Sequence, residues 1–158
     1  MKIKAYLVIA AYALLFAACA DKSAPLEPVN TKASLPPGFN FSKREYKVIS
    51  SFIDKKKGTM STLYGNDIAL KSAKAGAQHH AAGLEMALVT WQQKPNPYWF
   101  GNNIPGLLLS VEIITSDKNT GDVAYTFFEG QKLVLNTHMP LQEGRINYIL
   151  NQKPSVMP

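Results

Sequence analysis

Cys19 is the only cysteine in 158 residues, so no covalent staple can hold this chain together. A disulfide framework, a Cys-rich zinc site, an iron–sulfur cluster and the C-x-x-C-H attachment of a c-type haem all need more thiols. Stability must therefore come from buried apolar surface. About 120 residues beyond the N-terminal stretch can bury roughly two-thirds of their surface, enough for one core.

The position of Cys19 says more than its count. Met1 to Lys4 carry two positive charges, and Ala5 to Ala18 follow without any charged residue. A basic start, a short apolar run and then small residues make a secretory signal, too short for a span of about 20 residues. Leu15-Phe16-Ala17-Ala18-Cys19 resembles a bacterial lipobox, with its branched aliphatic displaced to Leu15. Residues 1–18 are thus expected to be a lipoprotein signal peptide and Cys19 the lipidated residue. Ordinary cleavage near Ala20 is the alternative. Asp21 is not adjacent to Cys19, which favours the outer membrane of a two-membrane cell, on its periplasmic side.

The formal charge is +6. Lys2 and Lys4 would leave with the signal peptide, and the weaker remaining balance is no nucleic-acid footprint, which needs clustered basic residues on one face. Lys55-Lys56-Lys57 before Gly58 reads as a solvated hairpin turn, with contact to anionic headgroups as the alternative.

Residues 19–40 hold Pro25, Pro28, Pro36 and Pro37 without an apolar period, and are expected to form a Pro-rich tether. Its reach is about 25 Å. Residues 41–154 then read as one α+β domain. Tyr46 to Phe52 and Thr59 to Tyr64 flank the lysine turn as a hairpin. Asn66 or Asp67 can cap a helix that buries Ile68, Ala69, Ser72 and Ala73 and stops at Gly76. Met86 to Trp91 is a nearly apolar central strand. Leu107 to Thr115 alternates, with Leu107, Leu109, Val111 and Ile113 on one face and Leu108, Ser110, Glu112 and Ile114 on the other. Val123 to Phe128 and Lys132 to Leu135 follow after polar turns, which imply antiparallel pairing. Pro140 opens a last helix with Ile146, Ile149 and Leu150 inward, ending at Pro154. The expected architecture is an antiparallel sheet of about five strands with packed short helices.

Several segments resemble the cytochrome P-460 family. They are Leu63 to Ala73 with its Asn66-Asp67 pair, Leu88 to Lys94, Pro97-Tyr98-Trp99-Phe100-Gly101, Ile104-Pro105-Gly106, Ser110-Val111-Glu112 and Tyr125 to Gly130. The resemblance spans roughly Phe41 to Asn136. It implies a five-stranded antiparallel sheet that dimerises through its sheets. In the haem-bearing members and the similar cytochromes c′-beta it also implies a c-type haem acting on hydroxylamine, nitric oxide or related ligands. Those members carry C-x-x-C-H in their C-terminal segment. Here Thr137-His138-Met139-Pro140-Leu141-Gln142-Glu143 contains no cysteine. P-460-type members also cross-link a lysine to the haem near the central strand, where Lys94 lies. The resemblance carries over the fold, and not the covalent cofactor.

Trp91, Tyr98, Trp99 and Phe100, with Glu112, are the candidate pocket residues, because ligand sites are largely apolar with few polar groups. A loop folded onto the sheet with these aromatics as core is the reading favoured over a pocket. Glu129 also lies on a strand position able to face a cavity. His79 and His80 are adjacent in an Ala/Gly-rich stretch and read as surface, and no metal site is expected. His138 lies where the family's axial histidine lies, which makes it the candidate ligand of a non-covalent haem. No nucleophile elbow, phosphate loop or zincin helix is present. The expectation is a lipid-anchored periplasmic domain without cofactor or catalysis of its own. It would bind a small ligand or an envelope protein and form a homodimer, without nucleic acid. The alternative is a haem-dependent oxidoreductase with His138 axial.

Overall fold

The computed structural model describes residues 30–41, 43–76, 81–137 and 142–155. Six antiparallel strands follow one another across a single meander, β1 (Lys47–Asp54), β2 (Thr59–Gly65), β3 (Glu85–Pro95), β4 (Asn103–Ser116), β5 (Val123–Glu129) and β6 (Val134–Leu135). Two helices complete an α+β fold, α1 (Asp67–Ala75) between β2 and β3 and α2 (Gln142–Leu150) after β6. Cys19, His79, His80 and His138, together with residues 1–18 expected to be a signal peptide, lie outside the described residues.

The helix signals around α1 act as their chemistry requires. Asn66 is the N-cap, its Oδ1 accepting from Ala69 N–H at 2.9 Å, and Gly76 ends the helix in the left-handed region at φ 62°. The Asn66 side chain also donates to the Gly83 carbonyl at 2.8 Å and accepts from Glu85 N–H at 3.3 Å. One residue therefore starts α1 and fastens it to the head of β3. Gly65 lets the helix come this close, because a Cβ there would lie 2.7 Å from Ile49 Cδ1 and 2.8 Å from Ala69 Cβ.

Several expectations change. The sheet has six strands rather than about five, and its last strand shrinks from Lys132–Leu135 to Val134–Leu135. The reason is a turn closed by Leu133 N–H to the Gly130 carbonyl at 3.0 Å, with Gly130 and Leu133 both at positive φ. The facing of β4 also differs from simple alternation. Thr90 pairs with Ser110 but Trp91 pairs with Leu108, so Leu109 is the extra residue of a bulge. Leu108 is thereby turned to the face of Val111 and Ile113, opposite Glu112 and Ile114.

Both faces of the sheet are covered. On one, α1 and α2 bury Ala69, Ala73 and Ile149 against Ile49, Leu63, Leu84, Met86, Leu88 and Ile114. On the other, residues 33–41 lay Ala33, Leu35, Phe39 and Phe41 over Ala87, Val89, Trp91, Leu108 and Val111. The nearly continuous apolar run of β3 follows from this double burial. Residues 30–40, assigned to the tether by their prolines, are thus a structural cover with short 3₁₀ turns at Thr31–Ala33 and Pro37–Phe39. Phe39 meets Phe128 edge-on at 5.0 Å between centroids, and Phe41 stacks on Tyr46 and Tyr64. At the other chain end, Ser155 N–H donates to the Ile49 carbonyl at 2.9 Å, and its hydroxyl accepts from Ser51 N–H at 3.2 Å. The segment after α2 therefore lies along the outer border of β1.

Candidate functional site

The five candidate pocket residues fall in three separate places. Trp91 is buried beneath residues 33–41, its indole N–H donating to the Ala33 carbonyl at 2.9 Å. Tyr98, Trp99 and Phe100 are exposed at the tip of the β3–β4 loop. Glu112 is buried on the opposite face of the sheet from Trp91, under α2. Glu129 is exposed at the end of β5 and accepts from the Asn136 side-chain amide at 2.9 Å. Lys94 is exposed near the end of β3.

Only Glu112 belongs to a built constellation. Burying a carboxylate is costly unless a partner charge and hydrogen bonds meet it, and the chain supplies both. Arg145 on α2 donates from Nε to Glu112 Oε2 at 2.8 Å and from Nη2 to Oε1 at 2.5 Å. Such a two-pronged pair fixes the guanidinium plane as well as its charge. The Tyr125 hydroxyl donates to Oε2 at 2.7 Å from the neighbouring strand β5. Burial first, and then the Glu112 carboxylate, push the Tyr125 phenol far above its ordinary value. The hydrogen bond to Glu112 raises the Arg145 guanidinium further, against the opposing effect of burial. Both donors therefore stay protonated across the neutral range.

The pair forms one wall of a cleft of about 330 Å³. Ser61, Thr90 and Ser110 supply hydroxyls to its floor, Leu88 and Phe127 supply apolar surface, and Asp54 and Lys57 stand among its lining residues. Ser61 and Thr90 are linked by a 3.0 Å hydrogen bond across β2 and β3. Tyr148, one turn along α2, lies under the Arg145 guanidinium at 4.9 Å and meets Phe52 edge-on at 6.2 Å. About a third of the Arg145 side chain, 31%, remains accessible. A larger depression of about 910 Å³ lies over the β4–β5 turn, formed by residues between Thr115 and Ala124 alone and holding no buried ionisable group.

Sequence reasoning placed Glu112 and missed Arg145, Tyr125 and Tyr148 as its surroundings. A signal for Arg145 was present. It stands four residues before the buried Ile149, which puts it on the inward stripe of α2. No group of three or more metal-ligating side chains occurs among the described residues, and no helix there is long and apolar enough to cross a membrane. No protein-family model matches the chain, and comparison with the curated proteins gives no match.

Proposed function

We propose that this chain is an exported domain, anchored by lipid at Cys19, of cytochrome P-460-like type without covalent haem. In this reading it binds a small oxygen-bearing ligand in the cleft of Glu112 and Arg145. The carrying observation is the 31% accessible guanidinium, held rigid by a buried carboxylate at the wall of a 330 Å³ cleft with hydroxyls on its floor. A fixed guanidinium recognises a carboxylate or another oxyanion, and serine and threonine hydroxyls complete the polar contacts. Leu88 and Phe127 accommodate a small apolar portion. Ser61 and Thr90 bond each other rather than a carboxylate, and the role proposed for the cleft is binding. The P-460 likeness rests on the sequence segments and is compatible with a helix-backed antiparallel sheet. The anchor rests on the run from Ala5 to Cys19.

Haem does not fit this cleft. Its described lining offers Tyr148 but no His, Met or Cys as an axial ligand. Tyr148 is stacked under Arg145, and the buried Glu112–Arg145 pair with its hydroxyl neighbours occupies the place of an apolar slot. The competing reading, non-covalent haem on His138, has its own test in the same experiment.

Calorimetric titration of the purified protein with acetate, succinate and benzoate tests the proposal. Binding of one of these, lost in Ser110→Leu, which fills the cleft but spares the ion pair, is the expected result. Absence of binding by all three overturns the oxyanion assignment. A haemin titration that gives a Soret band abolished by His138→Ala replaces the proposal with the haem reading. Sedimentation velocity on the same sample reads the homodimer that the resemblance implies.

A further inference from the structure

We propose that the end of the sheet bearing Tyr98, Trp99 and Phe100 is a membrane-contact surface that seats on an anionic lipid bilayer. Tyr98 and Trp99 are each 70% exposed and Phe100 is 104% exposed. Single exposed apolar residues are ordinary, but three consecutive aromatics make a patch that needs a partner.

The loop that presents them is built to hold them outward. Asn96 N–H donates to the Asn102 carbonyl at 2.8 Å, and Asn102 N–H to the Trp99 carbonyl at 3.2 Å. Tyr98 N–H donates to the Asn96 side chain at 2.9 Å, and Gly101 takes the positive φ that the reversal needs. These internal bonds lower the cost of entering a region poor in water. Tryptophan and tyrosine favour the membrane–water interface, with an apolar body and a polar tip.

The charge around the loop has the sign that a bilayer of anionic lipid would attract. Strand directions bring the β1–β2 turn, the β3–β4 loop and the β5–β6 turn to one end of the sheet. Gln93 N–H ties two of them together by donating to the Gly58 carbonyl at 2.8 Å. Lys55, Lys56, Lys57, Lys94 and Lys132 are exposed there. Two carboxylates on the strands beside these turns, Asp54 and Glu129, offset part of that charge, and the five lysines still outnumber them. Asp54 accepts from the backbone N–H groups of Lys56 and Lys57, and Glu129 from Asn136. Basic residues flanking interfacial aromatics are the chemistry of anionic headgroup contact.

The path of the chain leads to the same end. Asn30 donates from its side-chain amide to the Pro105 carbonyl at 2.8 Å, just inside the β3–β4 loop. Only residues 20–29 separate it from Cys19, and ten residues of any conformation reach no further than about 35 Å. A protruding tip beside the tether suits a soft continuous surface better than the concave receptor that a protein partner would have to supply.

The inference deepens the anchored reading, and its test is separable from it. The full chain carrying Cys19→Ser and Trp91→Phe leaves Trp99 as the sole tryptophan. Vesicles of phosphatidylglycerol are expected to shift its emission to the blue, brominated acyl chains to quench it, and phosphatidylcholine vesicles to do so about tenfold more weakly. Converting Lys55, Lys56 and Lys57 to Gln should remove that preference, and Tyr98→Ser with Phe100→Ser should weaken partitioning about tenfold. A companion protein with Cys19→Ser and Trp99→Phe reports the buried Trp91, whose emission should not move. Trp99 that stays unquenched in both vesicle types overturns the proposal, as does a blue shift that needs no lipid and grows with protein concentration. Failure of Cys19 lipidation alone would leave the Trp99 result standing.

Discussion

Arg145 clasps both carboxylate oxygens of Glu112 from a helix that follows it by two strands, β5 and β6, at 2.8 Å through Nε and 2.5 Å through Nη2. The pair joins α2 to the centre of the sheet, and its two halves are unequally dependent on each other. Glu112 is buried, whereas Arg145 keeps an exposed edge.

Arg145→Met should therefore cost about 3 kcal/mol of folding stability, because it strands a charge that water cannot reach. Glu112→Gln with Arg145→Met together should cost less than Arg145→Met alone. Urea denaturation of the two variants measures this difference, and an equal or larger loss in the double variant contradicts it.

Alkaline pH should destabilise the fold through its tyrosines. Burial, then the hydrogen bond to Glu85, raises the Tyr46 phenol from 10.0 to about 12, and Tyr125 moves in the same direction. Above pH 10 the unfolded chain loses these protons while the native state retains them, so stability falls as pH rises. Below pH 10 their contribution is fully present. Denaturation midpoints measured from pH 9 upward should decline less steeply in Tyr46→Phe and Tyr125→Phe proteins than in the parent.

Asn66→Ala should cost more than a simple cap. Loss of an N-cap contributes about 1 kcal/mol, and Asn66 also bonds Gly83 and Glu85. We expect ~2 kcal/mol, with Asn66→Asp recovering the cap and the contact to Glu85 N–H but not the donation to Gly83. Thermal unfolding should rank the parent first, then Asn66→Asp, then Asn66→Ala.

Trp91→Phe should loosen the N-terminal cover without disrupting the sheet. It removes the bond to the Ala33 carbonyl while retaining apolar bulk under residues 33–41. Limited proteolysis should cut near residues 30–40 faster than in the parent, while hydrogen exchange in α1 stays unchanged.

Local signals in the sequence carried much of the architecture. Asn66 and Gly76 bracket α1 as their cap chemistry demands, and the lysine run does turn between β1 and β2. Features set by long-range contact were hidden. The bulge at Leu109 reversed one face of β4 because extra backbone, not side-chain alternation, decides facing there. The prolines of residues 30–40 resemble those of a linker, yet Leu35 and Phe39 find partners on a sheet face that only the assembled fold creates. Glu112 was readable as a carboxylate on a buried strand, while its partner Arg145 lies 33 positions away and is joined to it by the packing of α2 alone. The three loop aromatics were expected as core beneath a folded-down loop or, failing that, around a pocket. They stand outside because the hairpin closes on its own hydrogen bonds before folding back.

The placement of Ser155 bears on how copies of this chain behave when crowded. An unpaired strand border is a template for edge-to-edge growth. Here Ser155 occupies part of the β1 border, and the opposite border is a strand of two residues. Ser155 covers the β1 border at Ile49 and Ser51, close to the exposed Val48, whereas β6 covers only Phe128 and Glu129 of β5. Residues 151–155 thus guard that part of the β1 border, and their removal should show first as self-association rather than as unfolding.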